Sequence, residues 1–137
     1  MGPRVIFVDT SAIIAIIARE TDAAMFAGKI EAEDERITSA HVLLEASMRL
    51  ASVLSLSPTV ADMLVTRLLH ECGIAIVPIT ESIGHASVAA FERYSKGRKN
   101  RARLNFGDCL SYACAKAHGA RLLFKGDDFG HTDIARA

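Results

Sequence analysis

Residues 104–129, LNFGDCLSYACAKAHGARLLFKGDDF, constrain the fold more than any other stretch, because a capped helix, a short apolar strand and two acidic points fall within 26 residues. Asn105 is placed to cap a helix whose apolar positions Leu110, Ala113, Cys114 and Ala117 recur at the i, i+3, i+4, i+7 spacing of one buried face, and Gly119 ends it. Asp108 then falls at the third helical position, off that stripe, where free N–H groups and the positive end of the helix dipole favour a carboxylate. Residues 122–124 form a short apolar run suited to a buried strand, and Gly126, Asp127 and Asp128 follow at its carboxyl end. The two acidic points therefore lie close together and read as half of a metal site.

The same order of strand, acid and helix opens the chain. Residues 5–8 are a continuous apolar run, and Asp9, Thr10 and Ser11 lead into an apolar helix. In an open parallel sheet, ligands gather outside the carboxyl ends of the strands, where Asp9 would stand with the Ser11 hydroxyl beside it. Either residue could equally be a plain helix cap. Residues 21–33 read as a second helix and 36–38 as a short extended piece. Ser39 then starts a helix to about residue 54 whose only acid is Glu45. That carboxylate needs a partner, either Arg49 one turn on or a cation. Residues 59–72 form another helix, 74–77 a strand, and Thr80 or Ser82 opens a helix to about residue 94. The seven residues 131–137 read as a short tail.

This alternation predicts an α/β fold, a three-layer sandwich with a parallel sheet of about four or five strands flanked by helices. With 137 residues, half of them hydrophobic, residues 1–137 make one domain with a substantial core. Sixteen basic and sixteen acidic residues cancel, so bulk charge gives no general affinity for nucleic acid or membranes and any such binding is local. One local feature stands out: KGRKNRAR, residues 96–103, carries Lys96, Arg98, Lys99, Arg101 and Arg103 just before Asn105. As an exposed loop it would bring phosphate-attracting charge to the rim of an acidic pocket. Three cysteines without a C-x-x-C spacing read as reduced thiols, and the chain shows neither a signal peptide nor a span long enough for a bilayer, so a cytoplasmic protein is expected.

Asp9, Glu45, Asp108 and Asp127 or Asp128 thus come from four elements, and such a cluster repels itself without a cation. Oxygen ligands of this kind suit Mg²⁺ or Mn²⁺, whereas the scattered histidines form no zinc set. Carboxylate-held ions of this class activate water and stabilise in-line phosphoryl displacement, which makes phosphodiester hydrolysis the natural reaction.

At this point VDTSA, the helical Glu45, NFGDCLSYACAKAHG and LLFKGDDFGHTDIA, in this order and spacing, resemble the PIN domain, specifically the VapC toxins of type II toxin–antitoxin systems. The resemblance spans essentially the whole chain. It implies a PIN-like fold, a Mg²⁺-dependent endoribonuclease, a homodimer, and inhibition by a VapB-type antitoxin whose C-terminal segment fills the active-site groove. It also implies that Asp9, Glu45 and Asp108 are metal-site acids, that Ser11 and Asn105 are the polar residues beside them, and that the GDDF acid is the fourth carboxylate. Many relatives place that last acid in a T-x-D setting, from which Lys125-Gly126-Asp127-Asp128 departs. The family pattern sets the acid directly before the aromatic, which points to Asp128, while Asp127 suits the tip of the Gly126 turn. A receiver domain or a haloacid-type phosphatase fits less well, since Pro78-Ile79-Thr80 follows the middle strand and Ser11 stands where the phosphatase would want a second Asp. A non-catalytic PIN-like module binding RNA or protein is the remaining alternative.

Overall fold

The computed structural model describes residues 4–95 and 102–137. Four short strands, β1 (Val5–Val8), β2 (Glu35–Ser39), β3 (Ala75–Val77) and β4 (Arg121–Leu123), form one parallel sheet in the order β3-β2-β1-β4. β1 is central and almost entirely buried, its Phe7 lying between Ile37 of β2 and Leu122 of β4. Helices α1 (Thr10–Ile17) and α2 (Ala23–Glu31) connect β1 to β2, and α3 (Ala40–Val53) and α4 (Pro58–Glu71) connect β2 to β3. α5 (Glu81–Tyr94) and α6 (Phe106–Ala117) then carry the chain back across the sheet to β4.

Because right-handed crossovers running in opposite directions place their helices on opposite faces, α1 to α4 cover one side and α5 and α6 the other. α6 packs against β1, β2 and β4, with α5 alongside it. The expected three-layer α/β architecture is what the chain adopts, with four strands. The chain leaves β1 toward β2 on one side and returns to β4 on the other. The order therefore reverses between β1 and β4, and a crevice opens outside their carboxyl ends. Asp9 N–H donates to Leu123 O across this junction at 3.1 Å, so the residue after β1 is fixed to the end of β4.

Local signals set most element boundaries. Ser57 and Thr80 accept from Val60 N and Ile83 N as side-chain caps of α4 and α5, and Pro58 occupies the first turn of α4. Ser39 begins α3 without capping it; its hydroxyl shares a hydrogen bond of 2.7 Å with His41 Nδ1 instead. Two expectations need correction. The stripe on α6 is not its buried face: Cys109 and residues 111–115 are buried, Leu110 is half-buried and Ala117 is exposed. With β1, β2, β4 and α5 all packed on it, the helix is enclosed over much more than one stripe. Nor is 131–137 a free tail. Leu122 N–H donates to Ala135 O and Ala137 N–H to Leu122 O, both at 2.9 Å, covering the outer edge of β4. Tyr112 Oη donates to Asp133, and the Arg136 guanidinium lies 4.2 Å over the Phe124 ring.

Among the described residues no helix is long and apolar enough to cross a membrane, and all three cysteines are free. Deleting residues 133–137 removes both edge bonds and the Tyr112 acceptor. It is expected to cost about 2–4 kcal/mol and to lower the Tm by several degrees in calorimetry. An unchanged Tm would mean that the tail adds nothing to the fold.

Candidate active site at the carboxyl edge of the sheet

Asp9 follows β1 and is the N-cap of α1. Its Oδ2 accepts from Ser11 N–H at 3.3 Å and from Ser11 Oγ at 2.9 Å, and the side chain is only 5% exposed. Ser11 Oγ in turn accepts from Lys125 N–H at 2.9 Å, joining the ends of β1 and β4. On its other side the Ser111 hydroxyl, bonded to His41 Nε2 at 2.9 Å, lies near enough to favour the charged form of Asp9. Asp9 thus sits between hydroxyls from α1 and α6, the second of them tied to His41 of α3.

Glu45 comes from α3, one turn after His41. Thr10 Oγ1 donates to its Oε1 at 2.5 Å. No ion pair links it to Arg49: among the described residues Glu45 finds its partner in a hydroxyl from α1, and the i,i+4 alternative is not formed. Across from it, Gly107 in the first turn of α6 lies so close that a Cβ there would stand 2.7 Å from Glu45 Oε2. The absence of a side chain at Gly107 leaves room for the carboxylate.

Asp108 is held by a reciprocal capping box. Its N–H donates to Asn105 Oδ1 at 2.9 Å and its Oδ2 accepts from Asn105 N–H at 3.1 Å. This part of the site forms as the local sequence predicts. Partial burial, opposed by the Asn105 bond and reinforced by Asp9, Asp128 and Glu45 nearby, pushes its carboxyl up to about 7. Burial raises the Asp9 carboxyl too.

All four acids, Asp9, Glu45, Asp108 and Asp128, line one cavity of about 330 Å³ with Thr10, Ser11, Asn105, Arg49 and Lys125. Asp127 is absent from this wall. Among the described residues no three His, Cys, Asp or Glu side chains converge on one point closely enough to share an ion, so the acids surround the cavity without closing on its centre. As a donor set they fit a hard divalent cation: oxygen ligands only, with burial raising the carboxyls of Asp9 and Asp108 so that added positive charge would favour their ionised forms. Of the cavity's two cations, Lys125 is engaged by Glu20 Oε1 at 2.9 Å and Asp22 Oδ1 at 3.3 Å.

Of the basic loop, Lys96, Arg98, Lys99 and Arg101 lie outside the described residues, and Arg103 is exposed. Sequence reasoning missed Thr10, His41, Gly107 and Ser111. The one available signal was Ser111, a hydroxyl three residues beyond Asp108 in an otherwise apolar stretch.

Comparisons with known proteins identify the family and the fold. The family model of the PIN domain matches residues 6–135. The VapC ribonuclease Mb0625 of Mycobacterium bovis is 42% identical over 130 residues, covering 95% of this chain and 96% of that protein. Ribonuclease VapC of Mycolicibacterium smegmatis is 38% identical over 128 residues, covering 93% and 96%. Among solved structures, Mycobacterium tuberculosis VapC20, a sarcin-ricin loop cleaving toxin, superimposes with a TM-score of 0.74 at 18% identity over 96% of this chain and 98% of that one. A toxin–antitoxin complex from Klebsiella pneumoniae gives 0.68 at 18% identity over 96% and 95%. These two share the fold, while the family rests on the model match and on relatives near 40% identity over nearly their whole length: the chain belongs to the PIN-domain family, among its VapC ribonucleases.

Proposed function

We propose that this VapC-type ribonuclease is the toxin of a toxin–antitoxin pair and hydrolyses RNA phosphodiester bonds at the cavity lined by Asp9, Glu45, Asp108 and Asp128, with Mg²⁺ or Mn²⁺ as cofactor. The observation that carries the reading is the gathering of four carboxylates, from four separate elements, around one cavity at the switch point of the sheet. A bound cation of this class supplies an activated water and stabilises the charge that develops on the displaced phosphoryl group. The protein's own share is orientation. Ser11 fixes Asp9, Thr10 fixes Glu45 and the Asn105 capping box fixes Asp108, so these three acids need little reorganisation when charge arrives.

Asp128, on the cavity wall where Asp127 is not, is the fourth acid of this reading. Arg103 and the rest of the 96–103 run are assigned to RNA phosphates. A VapB-type antitoxin and a homodimer complete the proposal. They are supported by the similarity to VapC ribonucleases, and the antitoxin also by the likeness in fold to a toxin–antitoxin complex. A non-catalytic binding module has less in its favour, because it would gather four like charges around one cavity without a use for them.

Three outcomes test the reading. Purified protein should cleave RNA with Mg²⁺ or Mn²⁺ and stop in EDTA, and Asp9→Asn or Asp108→Asn should each lower kcat at least a hundredfold while thermal unfolding stays cooperative. Full cleavage by the Asp108→Asn protein would overturn the site.

Asp128→Asn should weaken Mn²⁺ binding in calorimetry and depress cleavage, whereas Asp127→Asn should leave both within about twofold of wild type, because only Asp128 faces the cavity. The reverse pattern would move the fourth ligand to Asp127.

The third is a pH dependence of the metal-free protein. Because the folded-state pKa of Asp108 lies above its unfolded value, the unfolded chain gives up this proton first as pH rises from about 4 to about 7. Stability falls through that window and levels off above it, by at most about 4 kcal/mol for this group and by less where water screens its exposed part. In EDTA, Asp108→Asn should therefore be more stable than wild type at pH 7.5 and about equal to it near pH 4, and added Mg²⁺ should narrow the gap at pH 7.5. A gap independent of pH in urea titrations would show that Asp108 is not held protonated.

A further inference from the structure

Beside the acidic cavity lies a second one of about 450 Å³, mostly apolar, between α3 and the first turn of α6. Glu45, Arg49 and Asn105 line both, so the two are continuous. Three residues set the character of the second groove. Leu44 and Met48 on α3 are each 62% exposed, and Phe106 on α6 is 83% exposed, the most exposed large apolar side chain among the described residues. Phe106 directly follows the cap Asn105 and stands two residues before Asp108. Arg49, at the boundary of the two cavities, makes no hydrogen bond or ion pair with the described residues, in contrast to Lys125, which is held by Glu20 and Asp22.

We propose that this groove is a nucleotide subsite of the ribonuclease, in which the base next to the scissile phosphodiester stacks on Phe106 and the phosphate between them meets Arg49. The inference rests on the ribonuclease reading above and names where its substrate lies. A strand laid across the four acids needs a cation that no carboxylate has already engaged, and on the described wall Arg49 alone meets that condition. An aromatic face flanked by Leu44 and Met48 accepts any base, while its apolar wall excludes the phosphate and leaves that group to the arginine at the rim. Single-stranded RNA fits this pairing better than a purely apolar partner, which would have no use for Arg49. It also fits better than a duplex, whose bases are not free to stack on a side chain. The volume is within the range of about 300–1,000 Å³ usual for small-molecule sites.

The chain contains no tryptophan, so Phe106→Trp supplies a single fluorophore at the point in question. Placed in an Asp9→Asn background to prevent cleavage, it should be quenched on titration with a short single-stranded RNA, and not by the same length of RNA duplex. In the active protein, Phe106→Ala should raise KM for that RNA about tenfold with kcat within about threefold, and Phe106→Tyr should restore it. Removing the base beside the cut site from the RNA should cost the wild type a similar factor and the Phe106→Ala protein little more. Arg49→Ala should raise KM and reduce the slope of log KM against log salt by about 0.7, the loss of one phosphate contact. A silent tryptophan at saturating RNA, or an unchanged KM for Phe106→Ala, would overturn the subsite. So would a Phe106→Ala protein that cleaves normally but sediments as a smaller species, since Phe106 would then belong to a contact between copies. Quenching in a protein whose wild type cleaves no RNA would instead keep the binding subsite and sink the ribonuclease reading. Cleavage with a silent tryptophan would sink the subsite alone.

Discussion

Carboxylates gathered beside one another raise the cost of each other's charge, and the rest of this structure is arranged around holding four of them about one cavity. Burial raises Asp9 and Asp108, and each added negative charge raises its neighbours further. The fold tolerates this because the sheet delivers the acids from different directions. Asp9 leaves β1, Asp128 follows β4, and Glu45 and Asp108 come from α3 and α6 on opposite faces. None lies next to another in sequence: Asp9 and Asp108 are held by bonds to residues two and three positions away, and Glu45 by Thr10 of another helix. What they share is the crevice where the strand order reverses, which is also the place where backbone leaves two adjacent strands in opposite senses and makes room for a ligand.

The hydroxyls are what keep this arrangement from relaxing. Thr10 and Ser11 are consecutive, yet they serve different acids, Thr10 reaching to Glu45 on α3 and Ser11 turning back to Asp9. Ser11 also accepts from Lys125 N–H, so displacement of β4 would disturb Asp9. Beside them, His41 ties Ser111 of α6 to Ser39 at the end of β2. A buried network of this kind is costly when partly satisfied and rigid when complete. Here it fixes the orientation of the acids with neutral groups and leaves their charge for something else to balance.

What could be read from the sequence follows from how local the determining interaction is. The Asn105–Asp108 capping box spans four residues; its cap was legible, though not the return bond from Asp108, as was the hydroxyl that starts α5. The positions of Asp9 and of the Asp127–Asp128 pair followed from strand ends, because a short apolar run in an α/β chain is a buried strand and the acid after it is delivered to the carboxyl edge of the sheet, while the choice of Asp128 within the pair came from the family pattern. Glu45 was visible as an anomaly, a single acid in an apolar helix, but its partner was not, because Thr10 lies 35 residues away and only the packing of α1 on α3 brings them together. The buried face of α6 was misread for a related reason. Spacing rules assume a helix with one covered side, and α6 is enclosed by three strands and α5. The pairing of the final residues with β4 left no periodic signal at all, since two backbone bonds carry it.

Gly107 shows how closely the local and the distant constraints are interlocked. Seen as sequence, a glycine at the second position of a helix is a minor weakness, for it lowers helix propensity without supplying a turn. Its reason lies on α3. Glu45 Oε2 occupies the space where a Cβ at Gly107 would come within 2.7 Å, closer than such contacts are found, so any larger residue must displace the carboxylate or the first turn of α6. The turn cannot move freely, because the capping box fixes Asn105 to Asp108 on either side of it. Nor is the carboxylate free, being bound by Thr10. The sequence Asn-Phe-Gly-Asp therefore meets four demands in four consecutive residues: a cap, an aromatic turned out to solvent, a gap for an acid from another helix, and an acid of its own. The helix that begins there is stable because of the first and last of these, and the cavity keeps its shape because of the third.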